Sequence, residues 1–170
     1  MKLDTARTRV TVQTWATGVL SALAHDLVIT AEPQSGSVSD GDTATVIFPV
    51  RGLRVDGVLK KGAVDRGVLS ASDRAKIEER IRDEVFAGAR EVRVTARMPA
   101  GGAPTFTLEA GSRRASFTGR ARHDGEGHVT GEVELSLAAL GIAEVKGPLG
   151  AIKVKDRVLV TFDAWFTRAG

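Results

Sequence analysis

Two runs near the C-terminus alternate apolar and polar residues one for one, and this restricts the chain more than any other feature. In 126–137, Val129, Gly131, Val133, Leu135 and Leu137 share one face against Thr130, Glu132, Glu134 and Ser136. In 156–167, Val158, Val160, Phe162, Ala164 and Phe166 share one face against Leu159, Thr161, Asp163, Trp165 and Thr167. A period of two over such lengths belongs to strands with one buried face. Too little helix is available to cover a parallel sheet, and an antiparallel sheet removes its exposed edges by closing on itself. The expected fold class is all-β, a single antiparallel β-barrel of about eight strands with one inserted α-helix. Residues 1–170 form one domain in this reading, with no repeat or linker to divide them.

Further strands are expected at 8–14, 25–32, 43–50, 91–98, 105–110 and 113–121, with turn clusters at 33–36 and 39–42. The stretch 51–70, with glycines at 52, 57, 62 and 67, gives no regular pattern. Residues 15–24, with Val19, Leu20 and Leu23 spaced for a helix, suggest a short helical turn that plugs a barrel end. The one real helix spans 72–87. Ser72 is its expected cap, Asp73 suits its positive end, Ile77, Ile81, Val85 and Phe86 form an apolar stripe, and Gly88 ends it.

Composition excludes several functions. The chain has no cysteine, which removes disulfides, thiolate metal sites and cysteine nucleophiles. Its net charge of +3 is spread among interleaved acids and bases, and aromatics are 5% with no tyrosine, so nucleic acid is not an expected partner. The first dozen residues carry Lys2, Asp4, Arg7 and Arg9 and no apolar core of a secretory signal, and no apolar stretch is long enough for a transmembrane helix, so a cytoplasmic protein is expected.

Catalytic signatures are absent in the same way. Ser70, Ser72, Ser112 and Ser116 lack a nucleophile-elbow context. Gly147-Pro148-Leu149-Gly150 with Lys153 lacks the ending of a phosphate loop. His25 adjoins Asp26, but neighbours in a strand point to opposite faces, so His25 is read as a polar group at the barrel mouth. His123 and His128 flank the 124–127 turn. A site combining His25 with His123 or His128, for metal or acid–base chemistry, is the alternative, though no spacing demands a metal and no catalytic residue or cofactor is assigned.

What remains is the apolar face. Val12, Ile29, Phe48, Val94, Phe117, Val133 and Phe162 are expected to point into the lumen, with small residues such as Ala31, Ala44, Ala96, Ala115, Gly119 and Gly131 among them. An eight-stranded barrel either fills its interior with side chains or holds one small ligand. A ligand-holding lumen, a small barrel enzyme and a packed barrel serving as a protein-interaction module all stay open on these residues.

The order of the segments resembles the YceI-like family, lipocalin-like barrels that bind amphiphilic isoprenoids. Thr8-Arg9-Val10-Thr11-Val12 is similar to the family's opening strand, and 18–29, with His25, is similar to the helical turn and histidine-bearing second strand of some members. Leu137-Ala138-Ala139-Leu140-Gly141-Ile142 resembles the family's Phe-Gly-Ile turn, and Val154-Lys155-Asp156-Arg157-Val158 its Val-x-Asp-x-Val closing strand. The middle departs: Ser72-Asp73-Arg74-Ala75-Lys76-Ile77 lacks the family's histidine, and Phe117-Thr118-Gly119-Arg120-Ala121 replaces its Leu-His-Gly-x-Thr hairpin. The resemblance implies a lipocalin-like barrel that binds or carries an apolar or amphiphilic, isoprenoid-like small molecule without enzymatic activity.

Overall fold

The computed structural model describes residues 1–17, 25–39, 41–125, 127–146 and 153–168. Among these, twelve strands follow in order: β1 (Lys2–Leu3), β2 (Arg9–Thr17), β3 (Leu27–Ala31), β4 (Ser35–Ser39), β5 (Thr43–Pro49), β6 (Leu53–Lys60), β7 (Ala63–Asp65), β8 (Glu91–Arg97), β9 (Thr105–Ala110), β10 (Arg113–His123), β11 (His128–Ser136) and β12 (Lys153–Thr167). Between β7 and β8 lies one helix, α1 (Ala71–Arg80), continued by a π turn, Ile81–Val85.

The architecture turns on the length of β12, 15 residues. Its last residues pair with β1, Phe166 with Leu3 and Thr167 with Lys2, while its earlier residues, from Lys153 to Asp163, pair with β2. Two neighbours thus share one edge of β12 end to end. β1 closes an antiparallel ring of eight strands, β1-β4-β5-β8-β9-β10-β11-β12, and β2 begins a wing, β2-β3-β6-β7. The alternation of the two C-terminal strands is in phase. Val129 faces Ala164, Gly131 faces Phe162, Val133 faces Val160 and Leu135 faces Val158, so the apolar faces coincide inside the ring.

Several local expectations are corrected. Residues 15–17 continue β2 instead of starting a helical turn, and the rest of that turn, 18–24, lies outside the described residues. The cluster at 33–36 runs into β4, whose Ser35 registers with Ile47 of β5; a cross-strand partner overrides the turn preference of Ser and Gly. The stretch 51–70 holds β6 and β7, joined through Lys61 and Gly62 at φ 49° and 82°, the paired positive angles of a tight hairpin.

The helix cap is Ser70, not Ser72. Its Oγ accepts the Asp73 N–H at 3.1 Å while the Asp73 carboxylate accepts the Ser70 N–H at 3.2 Å, a complete capping box. The Ser70 hydroxyl, the largest influence, holds the Asp73 carboxyl below its ordinary value. Ser70→Ala is expected to lower stability by about 0.5–2 kcal/mol in chemical denaturation, and an unchanged midpoint would show that the box is not formed in solution.

One end of the ring is packed shut by Val129, Ala164 and Phe166 with Leu3, Val38 and Met98 around them. At the other end the register of β12 against β2 shifts between Val154 and Val158. That irregularity presents Asp156, whose carboxylate accepts the Ala138 N–H at 2.7 Å while its carbonyl accepts the Leu137 N–H at 3.0 Å. The Ala138 N–H, first among several donors, holds the Asp156 carboxyl below its usual range. So anchored, the 137–142 turn buries Leu140 and Ile142. The two motifs of the family resemblance are therefore one device, a closing strand whose aspartate fixes the turn at the open end.

Candidate functional site

The barrel encloses an apolar cavity in two compartments. The inner one, about 110 Å³, lies within the ring among Ala44, Ala96, Met98, Phe106, Val133 and Phe162. The outer chamber, about 430 Å³, lies between the ring, the β2–β3 wing and α1. Val10, Phe48, Val94, Leu108, Leu135 and Val160 line both, so the compartments adjoin. The chamber lies within the size range of small-molecule sites and shares their predominantly apolar lining.

The chamber follows from the sheet topology. β2, β3 and β6 leave the ring at β12, and the 3-10 turn Val50–Gly52 joins β5 to β6. The helix closes the remaining side. Its stripe residues Ile77 and Ile81, with Val85 of the π turn, line the chamber, and none of the helix or π-turn residues is fully buried. An apolar helix face normally buries itself in a core; here it faces open volume. Arg80 donates to the Lys146 carbonyl at 2.6 Å, and Arg113 donates to the Val85 carbonyl, pinning this segment over the open end.

The inner compartment is narrowed by aromatic rings. Phe106 and Phe162 have centroids 5.5 Å apart and tilted. Phe106 lies on Gly119, where a Cβ would come within 2.7 Å of its ring, and Phe162 lies on Gly131, where a Cβ would also overlap the Arg120 carbonyl oxygen. The two glycines do not widen the lumen, because each is the seat of a ring. Ala44, Ala96 and Ala164 are the alanines that border open volume there.

Of the positions selected from the sequence, Val12 and Ile29 lie on the chamber wall, Val133 and Phe162 on the inner wall, and Phe48 and Val94 on both. Phe117 registers with Phe106 and packs against the Ala96–Phe106–Val133 cluster, and it is not among the described lining of either compartment. His25 is on the chamber wall. Asp26 accepts the Ala16 N–H at 2.9 Å and ties β3 to β2. Sequence reasoning missed Leu140 and Ile142, which sit in a turn, and Trp15, Arg80, Lys146 and Lys153 at the chamber's polar margin. The Leu-Gly-Ile turn was legible as a family-like motif; its place on the chamber wall depends on the Asp156 anchor.

His128 sits elsewhere, on the outer face of the strands near the closed end. It registers with Trp165 of β12, whereas the chamber margin lies near Ala16 and Val154, roughly 35 Å away along the strand. His25 and His128 therefore do not form a joint site. Among the described residues, no group of three or more His, Asp or Glu is arranged to hold a metal ion.

His128 instead stacks on Trp165 and is held between two carboxylates. Nδ1 bonds Asp124 at 2.7 Å and Nε2 bonds Asp163 at 2.9 Å, with the ring 3.9 Å above Trp165 and Arg7 on the indole at 3.6 Å. Burial pulls its pKa down, but the two carboxylates outweigh it and hold the value above the ordinary 6.5. A raised folded-state value means the added stability is complete below about 6.5 and is lost as pH rises through the folded value. The melting-temperature gap between wild type and His128→Gln is expected to be wider near pH ~6 than near pH ~9. A gap that is constant or widens with pH would contradict the doubly bonded imidazolium.

No protein-family model matches the sequence, and no curated protein matches it significantly. Solved structures do match. A polyisoprenoid binding domain from Saccharophagus degradans, implicated in plant cell wall breakdown, superposes with a TM-score of 0.63 at 10% identity, over 99% of this chain and 98% of that one. BcnA from Burkholderia cenocepacia superposes with a TM-score of 0.62 at 12% identity, over 97% of this chain and 99% of that one. At such identities the likeness is one of fold, and it runs over nearly the whole chain. The protein shares the β-barrel fold of these two structures, the fold that its sequence resemblance implies.

Proposed function

We propose that this YceI-like barrel binds or carries an apolar or amphiphilic small molecule of isoprenoid-like character in its lumen, without transforming it. The observation that carries this reading is the continuous apolar wall joining the 430 Å³ chamber to the 110 Å³ compartment. A barrel built only for stability or for docking another protein has no use for such volume, because unfilled apolar space forfeits dispersion contacts. Val12, Ile29, Phe48 and Val94 would take the ligand chain in the chamber, with Val133 and Phe162 at its inner end. Each methylene moved from water to this wall contributes about 0.8 kcal/mol. The polar side chains at the margin, His25 among them, would meet the head.

The match to a polyisoprenoid binding domain supports the ligand class. Among the described residues, no helix is long and apolar enough to cross a membrane. A fluorescent apolar probe such as N-phenyl-1-naphthylamine tests the reading. Saturable binding of one probe per barrel, displaced by geranylgeraniol or a prenylated quinone, is expected. Absence of saturable binding, or a probe that no prenyl compound displaces, would overturn it.

A further inference from the structure

We propose that the chamber selects amphiphiles with an anionic head, a phosphate or a carboxylate, and that Lys146 and Lys153 at its margin are the selecting groups; this rests on the lumen-binding reading above. The charge on the wall is one-sided. The described chamber lining includes these two lysines and Arg80, together with the neutral donors Thr14 and Trp15 and the imidazole of His25, and no carboxylate. The same wall is otherwise apolar. An amphiphile that buries its chain there must set its head beside this cluster.

The carboxylates nearby do not cancel the cluster. Lys153 Nζ lies 2.7 Å from one oxygen of Glu144, and Lys146 Nζ lies 3.6 Å from the other. Two ammonium groups thus share a single carboxylate, which leaves the trio with one net positive charge. Both lysines, Lys153 first, hold the Glu144 carboxyl below its ordinary value, so it is ionised at neutral pH and the count stands. Arg80 is paired with Glu84 through Nε at 3.0 Å and Nη2 at 2.9 Å, and that pair is neutral.

The backbone brings the groups together from separate elements. Arg80 ends α1, and its bond to the Lys146 carbonyl joins the helix to the strand end, where Lys146 and Lys153 form an antiparallel bridge. A phosphate or carboxylate between the two ammonium groups would replace or share Glu144 as their counter-ion. Charge-assisted bonds of this kind are about twice as strong as neutral ones.

A matched set of ligands with one chain and four heads tests this: geranylgeraniol, its monophosphate, geranylgeranoic acid and geranylgeranylamine, each displacing the same fluorescent probe. The wild type is expected to bind the phosphate and the acid about tenfold more tightly than the alcohol, and the amine most weakly. In Lys146→Gln/Lys153→Gln the preference of the phosphate and the acid over the alcohol should shrink to about twofold, and Lys153→Arg should keep it. Glu144→Gln should strengthen anion binding, an outcome that a purely structural role for this cluster does not produce. Equal affinity for alcohol, phosphate and amine, or a preference that survives the double substitution, would overturn the proposal while leaving lumen binding intact. If none of the four displaces the probe from wild type, both fall.

Discussion

Filling the cavity with a single indole is expected to abolish most ligand affinity. Ala96 borders the inner compartment and Ala16 the chamber. Ala96→Trp would occupy the deep end that receives the tail, and Ala16→Trp would obstruct the chamber from β2. Each should weaken binding of geranylgeraniol at least about tenfold, equal to about 1.4 kcal/mol. Overpacking would lower stability by about 1–3 kcal/mol, so affinities are to be compared below the melting transition of each variant. Outward substitutions such as Arg93→Ala, on the face that pairs Arg93 with Glu91, should leave affinity unchanged. Gly131→Trp does not serve as a filler, because a side chain there meets Phe162 and the Arg120 carbonyl before it reaches open space. Wild-type affinity in both indole variants would remove the lumen from the account.

The largest effect on stability is expected from Phe106→Ala. Phe106 is 4% exposed, stands over Gly119, tilts against Phe162 and joins Ala96, Val133, Leu135 and Val158 in one cluster. Truncation removes a ring and leaves a hole that rigid strands close poorly, for a cost of about 3–5 kcal/mol. That is a large share of the 5–15 kcal/mol typical of a folded domain, roughly. Urea denaturation at equilibrium measures it. A cost below about 1 kcal/mol would mean that the ring is not packed as described and that the inner compartment is larger.

The ring of strands was legible because a half-buried strand writes its two faces into the sequence. Val158 to Phe166 on β12 and Val129 to Leu135 on β11 are read directly from alternation, and the structure pairs those faces in register. The inserted helix was legible from the spacing of Ile77, Ile81 and Val85. Its cap was misplaced by two residues because the Ser70 and Ser72 hydroxyls are equally good acceptors for the first N–H groups of a helix, and only the reciprocal Asp73 contact decides between them. Of the strands missed, β1 and β7 are only two and three residues long, β4 is rich in Ser, and β6 carries Gly57 and is held by β3, distant in sequence. β1 exists because Leu3 meets Phe166, a pairing that no local pattern announces.

The site was legible only in part, for a related reason. Alternation says which side chains point inward but not which inward positions are already filled. Gly119 and Gly131 look like vacant wall until Phe106 and Phe162 are found lying on them. Phe117 shares the inward face of Phe106, yet it is taken up in packing against that ring's cluster. Conversely, the chamber arises from the departure of the β2–β3–β6 wing at β12, a property of register and strand length. Arg80, Lys146 and Lys153 meet at its margin only in three dimensions.

The central claim is that the lumen holds one amphiphile, and native mass spectrometry of the freshly purified protein measures this most directly. A lipid-carrying barrel should give a species heavier than the polypeptide by a single small-molecule mass, lost on denaturation and restored by incubation with geranylgeraniol. A bare polypeptide mass, both as purified and after incubation with geranylgeraniol and with its monophosphate, would contradict the claim and leave a barrel whose cavity stays empty.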